Sequence, residues 1–328
     1  MLSKSIEKPL ASWRGKDRYN GQILDTLTVI FRSGGCSWNR CRMCGYRHER
    51  YQDLPLDELT DRLIRQVRWV KENFSDDDYQ MLKIFTSGSF FDPDEVPPAA
   101  RRAVAEAFRG KLVIAETRPE YVDAEALREF LEGIDTGAWD RPLSIAVGLE
   151  TTNDAIREKS IDKGFTYADF LRAAEVAHAV GADVKAYLLM KPPFLTEREA
   201  RDDMVRSIKD VASVADSISM NLCTVQSGTE VERLWNQNAY RPPYLWSVLD
   251  VLIGAPVHVL CDPVGGGQVR GPHNCGACDA PIVKGIGEYS LSGDVELLRA
   301  LAETECECKG EWEFVLEQEE PFCMPLTR

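Results

Sequence analysis

Apolar residues recur along this chain with two alternating periods. Short runs rich in aliphatic and β-branched residues predict strands at Leu27–Phe31, Met81–Thr86, Lys111–Glu116, Leu143–Leu149, Val184–Met190 and Ser217–Leu222. Between them the spacing becomes that of amphipathic helices. Over Asp57–Val70, for example, Leu59, Leu63, Val67 and Val70 fall on one face. Thr166 with Asp169, and Thr196 with Glu199, have the spacing of capping boxes that open the fourth and fifth helices.

Strand–helix alternation of this kind predicts parallel strands joined by right-handed crossovers, hence an α/β fold. Six such units suit a partial (β/α)6 barrel of the TIM type, and a doubly wound open sheet is the competing layout. In both, a ligand site lies at the carboxyl ends of the strands. The pattern changes after about Leu234, where Pro242-Pro243, Gly265-Gly266-Gly267 and a cysteine-rich region begin. Residues 1–235 are therefore expected to form the α/β domain. Residues 236–328 are expected to form a small helical, metal-binding extension.

Composition narrows the class. The 328 residues are 44% apolar and 28% charged, which is ordinary globular composition. Basic residues number 39 against 53 acidic, a net charge of −14, and this argues against strong autonomous grip on a polyanion. No apolar run is long enough to span a membrane. Met1–Leu10 carries Lys4, Glu7 and Lys8 and does not resemble a signal peptide. A cytoplasmic protein with reduced thiols is expected. Ten cysteines then point to metal rather than disulfides. They fall in two clusters, at 36–44 and 275–308, with Cys223, Cys261 and Cys323 apart and expected to be plain thiols.

The first cluster, Gly34-Gly35-Cys36-Ser37-Trp38-Asn39-Arg40-Cys41-Arg42-Met43-Cys44-Gly45-Tyr46, follows the first predicted strand directly. Three thiolates in one loop can ligate three irons of a 4Fe-4S cubane and leave the fourth iron open. S-adenosylmethionine (SAM) can chelate that iron, and one electron then cleaves it to a 5′-deoxyadenosyl radical. The competing reading is a zinc knuckle in which His48 supplies the fourth ligand.

The second cluster pairs Cys275-Gly276-Ala277-Cys278 with Cys306-Glu307-Cys308, and His273 stands close by as a substitute ligand. Two close pairs far apart in sequence suggest one four-ligand site. Four thiolates serve zinc, the preferred reading, or an auxiliary iron–sulfur cluster.

The Cys36–Cys44 loop resembles the cluster loop of the radical SAM superfamily. It departs from the commonest spacing by carrying four residues between the first two cysteines, and Met43 stands where an aromatic residue usually lies near the adenine. Glu116-Thr117-Arg118-Pro119-Glu120-Tyr121 resembles a run of the Elp3-like branch. The resemblance implies SAM contacts from the Ser87-Gly88-Ser89 turn, Glu116, Glu150 and Lys163. Lys185, an unusual lysine in an apolar strand, is a further candidate if it faces inward.

Longer runs, among them Gly148–Gly164, Val184–Leu195, Tyr240–Trp246 and Gly271–Asp279, resemble an archaeal family, the radical SAM subunits of archaeosine synthase. That resemblance implies a lyase-type tRNA-modifying enzyme with an electron donor. Its partner subunit transfers lysine to a 7-deazaguanine base in the tRNA D-arm, and C–N cleavage yields archaeosine. Competing functions are radical chemistry on another tRNA base or a small molecule, and a non-catalytic, zinc-stabilised module that binds RNA or protein.

Overall fold

Asn20 and Gly21, with φ of 46° and 80°, reverse the chain between strands β1 (Ala11–Tyr19) and β2 (Gln22–Ile30). An Asn-Gly pair suits this two-residue turn because both positions need left-handed backbone. The strands pair antiparallel without a break, from Ala11 opposite Ile30 to Tyr19 opposite Gln22. Only the end of β2 was expected from hydrophobicity. The middle of β1, Trp13–Lys16, is exposed and carries no apolar run to announce it.

The remaining strands are β3 (Met81–Phe85), β4 (Leu112–Thr117), β5 (Leu143–Glu150), β6 (Asp183–Met190), β7 (Ser217–Leu222) and β8 (Val259–Asp262). The first five of these coincide with expected strands to within a residue at each end; β8 is additional. This computed structural model describes residues 7–51 and 53–320, so Cys323 lies outside the described residues.

The helices are α1 (Leu56–Asn73), α2 (Pro98–Ala107), α3 (Ala124–Ile134), α4 (Asp154–Ile156), α5 (Tyr167–Ala179), α6 (Glu197–Val211), α7 (Glu230–Asn236), α8 (Leu245–Ile253), α9 (Asp279–Ser292), α10 (Val295–Ala302) and α11 (Cys308–Gln318). A π-turn, Arg157–Ile161, continues α4. Among the described residues no helix is long and apolar enough to cross a membrane.

The chain forms two compact units. The first comprises the chain up to Asn39, Tyr46–Gly148 and Ala168–Lys185; the second comprises Arg40–Gly45, Leu149–Tyr167 and the chain from Ala186. In the first unit, β2, β3, β4 and β5 pair parallel in chain order, with Val29 opposite Ile84 and Ala115 opposite Ile145. Over the parallel-paired stretches most of their side chains are buried, as two-sided parallel strands require. The expected face of α1 is buried too: Leu59, Leu63, Val67 and Val70. Each such side chain stabilises the fold by about 1.5–3 kcal/mol. Gln66 lies on that face because its amide bonds both the N–H and the C=O of Arg32, at 2.9 Å each.

In the second unit β7 and β8 pair parallel. Helix α8, apolar over Leu245–Leu252, is covered by α6, α9 and α10. Thr196 caps α6 in the expected box, its hydroxyl accepting from Glu199 N–H while the Glu199 carboxylate accepts from Thr196 N–H. The fold class is the expected one: α/β, built from successive β/α units, with helices α9–α11 and a cysteine cluster at the C-terminal end.

Candidate functional site

In the first unit, parallel pairing brings the loops that follow β2, β3 and β4 to one edge. Glu95 ties two of them together. Its buried carboxylate accepts from Ser33 Oγ at 2.7 Å, Gly88 N–H at 2.9 Å and Ser89 N–H at 2.6 Å. Burial holds its pKa above the usual carboxylate range. Sequence reasoning missed Glu95: Gly88 and Ser89 share its loop, but Ser33, the partner that ties that loop to the one after β2, lies 62 residues away.

Gly88 lies against Cys36. A Cβ there would stand 2.6 Å from Cys36 Cβ, 2.7 Å from its Cα and 2.8 Å from its Sγ, so only glycine fits. The neighbouring Ser87 hydroxyl is buried and has no hydrogen-bond partner. Ser89 is occupied: its Oγ accepts from Arg118 N–H at 2.9 Å. The Arg118 side chain pairs with Glu120 at 2.5 Å and lies over Trp38. The Glu116 carbonyl accepts from Phe90 N–H at 2.8 Å, joining the β3 and β4 ends.

The second unit holds the other two cysteines of the loop, Cys41 buried and Cys44 half-buried, in a turn closed by Cys44 N–H to Cys41 C=O at 3.2 Å. That turn is fixed by Arg42 N–H to Ile161 C=O, Glu230 N–H to Arg42 C=O, and Gly45 N–H to Gln226 Oε1 at 2.7 Å. Met43 packs against two apolar clusters that include Leu189 and Tyr240, and Ile161 and Leu195.

Glu150 and Lys163, proposed separately from sequence, form one ion pair of 2.7 Å, both nearly buried. Glu150 ends β5 with φ of 67°, a left-handed backbone that a side-chain-bearing residue rarely adopts.

Lys185 has its counter-charge within the first unit. It lies in the amino-terminal half of β6, buried, with Nζ 3.9 Å from Asp17, whose carboxylate also takes Lys83 at 2.7 Å. A buried ammonium needs a counter-charge, and Asp17 of β1 supplies it. Burial still pulls the Lys185 pKa down to about 8. The pairing with Asp17 accounts for a lysine buried in this strand.

Cys275, Cys278, Cys306 and Cys308 come together as the spacing predicts. All four Sγ atoms lie within 4.8 Å of one another, with separations of 3.9 Å (Cys275–Cys278), 3.6 Å (Cys275–Cys306 and Cys278–Cys308) and 3.4 Å (Cys306–Cys308). One tetrahedral ion with metal–sulfur bonds near 2.3 Å needs sulfurs about 3.8 Å apart. Trp246 Nε1 donates to Cys308 Sγ at 3.3 Å and Asn274 Nδ2 to Cys278 Sγ at 3.4 Å, the pattern expected around thiolate ligands. His273 is not among the four; its Nδ1 faces the Gly271 carbonyl at 2.7 Å. Cys223 and Cys261 are fully buried, and burial pushes the Cys223 thiol up to about 12, as expected of core thiols.

Around Cys36 the residues present suit the cofactors that a three-cysteine loop implies. The β3 turn is cut back to glycine where Cys36 rests on it, a buried hydroxyl beside it has no partner, and the second cluster offers a complete donor set for an ion.

A strand–helix chain with such a loop after its first parallel strand defines a class, and sequence comparison agrees. The family model described as the radical SAM superfamily matches residues 30–206. The archaeosine synthase subunit beta of Methanosarcina acetivorans is 44% identical over 95% of this chain and 91% of its own length. That of Thermococcus kodakarensis is 38% identical over 93% and 96%. Among solved structures, the N-terminally truncated Elp3 of Methanocaldococcus infernus aligns with 66% of this chain and 56% of its own, at 13% identity and a TM-score of 0.47. The chain is a radical SAM enzyme, and within that superfamily it belongs to the family of the archaeosine synthase beta subunits.

Proposed function

We propose that this chain is the radical-generating subunit of an archaeosine synthase and that Cys36, Cys41 and Cys44 hold its 4Fe-4S cluster. Bound together, the cluster and SAM supply a radical able to take a hydrogen atom from an unactivated carbon. The chain's own residues bind and orient. Gly88 gives Cys36 room, and in this reading the Ser87 hydroxyl, Ser89 and Glu116 contact SAM. Met43, Glu150 and Lys163 are further contacts, with the Lys163 ammonium matching the SAM carboxylate.

The substrate in this reading is tRNA whose 7-deazaguanine base carries lysine attached by a partner subunit. Hydrogen abstraction from the lysine moiety leads to C–N cleavage, a lyase-type outcome that leaves the formamidine of archaeosine. The Cys275–Cys308 site holds a single zinc ion with a structural task in the extension from residue 236. An electron donor completes the system.

The observation that carries this reading is near-full-length similarity to the beta subunits, coupled with the orphaned Ser87 hydroxyl beside Cys36. The test supplies reconstituted protein, reductant and SAM with lysine-modified tRNA, followed by nucleoside mass spectrometry. Conversion of the lysine-bearing nucleoside to archaeosine is expected. Abundant 5′-deoxyadenosine with an untouched nucleoside would favour the reading in which another base or a small molecule is the substrate.

A further inference from the structure

Glu150 sits in a backbone conformation that costs energy, and one buried side chain holds it there. The Arg157 guanidinium is wholly buried. Its Nε donates to the Leu149 carbonyl at 3.2 Å, and its NH2 group donates to the Thr151 carbonyl. These are the carbonyls on either side of Glu150, so one rigid fork grips both flanks of the left-handed residue. An arginine fork is preorganised for two such bonds, where a lysine would make them singly.

The same residue also sets the far side of the ion pair. Arg157 begins the π-turn Arg157–Ile161, which ends at Asp162 with φ of 59°. The Lys163 N–H then donates back to the Arg157 carbonyl at 3.1 Å. Side chain and main chain of Arg157 thus fix Glu150 and Lys163 respectively, and those two meet at 2.7 Å. Single π-turns inside helices recur at functional sites because they re-aim the residues that follow.

Neighbouring groups brace the clamp. Arg157 is paired with Asp154 and lies 5.5 Å from the Phe165 ring. Thr151 Oγ1 donates to the buried Asp203 carboxylate at 3.0 Å. Arg157 itself is turned wholly into the protein and offers nothing to a ligand.

We infer that Arg157 is a positioning residue for SAM: by clamping the backbone on both sides of Glu150 and anchoring Lys163, it presents that ion pair to the cofactor. This rests on the proposed contact between Lys163 and SAM.

The experiment measures SAM affinity by equilibrium dialysis on the cluster-loaded protein, with thermal melting alongside, for wild type, Lys163→Gln, Arg157→Lys and the double variant. Each single change is expected to weaken SAM by about tenfold. The double variant is expected to be little weaker than either, because both changes break one arrangement. Multiplicative effects would overturn the inference, as would wild-type affinity in Arg157→Lys. Wild-type affinity in Lys163→Gln would instead remove the underlying contact while leaving the fold described here intact. Should Arg157→Lys melt too low to assay, Asp154→Asn loosens the same fork from its exposed side. It should weaken SAM by a smaller factor, again without a further loss when combined with Lys163→Gln; an unchanged affinity would count against the clamp.

Discussion

At the scale of single residues, Ser87 and Gly88 separate a binding task from a structural one. The Ser87 hydroxyl is buried without a partner, so the fold gains nothing from it. Ser87→Ala is therefore expected to keep or raise the melting temperature while weakening SAM about fivefold, the value of roughly one hydrogen bond. Equal losses of stability and affinity would make Ser87 a structural residue. Gly88→Ala places a methyl 2.6 Å from Cys36 Cβ. It should lower the iron bound per chain on reconstitution, measured against wild type, because the Cys36 loop must shift.

Lys185 yields a prediction of the opposite kind. Its folded pKa of about 8 lies below the ordinary lysine value of 10.5, so the fold disfavours its charge. Between those values the unfolded chain binds more protons, and stability from this group rises as pH increases from about 8 to 10.5. Lys185→Met should flatten that rise and stabilise the protein at neutral pH by up to about 3 kcal/mol. Chemical denaturation across pH would check it; an unchanged slope would contradict it. Sequence made Lys185 conspicuous but could not say which way it faced. Its counter-charge, Asp17, is on a strand that hydrophobicity did not reveal.

Elements were more legible than their pairings. Six strands could be read because parallel strands buried on both faces are nearly continuous apolar runs. The β1 strand escaped because its central residues are exposed; the Asn20-Gly21 pair, a hairpin-turn signal, went unread. The second cysteine cluster was legible as two pairs forming one four-ligand site; the elements it would join were not. Those sulfurs join the turn before α9 to the start of α11, and Trp246 of α8 donates to one of them. Cys308→Ser should abolish the bound zinc, read by elemental analysis, and lower the melting temperature, since such a site contributes folding free energy. Iron and sulfide in a cluster ratio at these residues would replace the single-ion account with the auxiliary-cluster one.

For the whole molecule, the net charge of −14 said little about its task. The informative signal was local: three cysteines in the loop after the first parallel strand, and a β3 turn that the structure fits to one of them. Glu95 and Arg157 were invisible in advance, because what they hold together is distant in sequence or is backbone. The central claim, that Cys36, Cys41 and Cys44 hold an open-iron cluster, is tested most directly by assaying 5′-deoxyadenosine. The protein is reconstituted anaerobically with iron and sulfide, reduced and given SAM, with Cys41→Ala as the control. The account predicts 5′-deoxyadenosine from wild type and none from the variant. Wild-type protein that takes up no iron, and carries zinc at the loop instead, would contradict it.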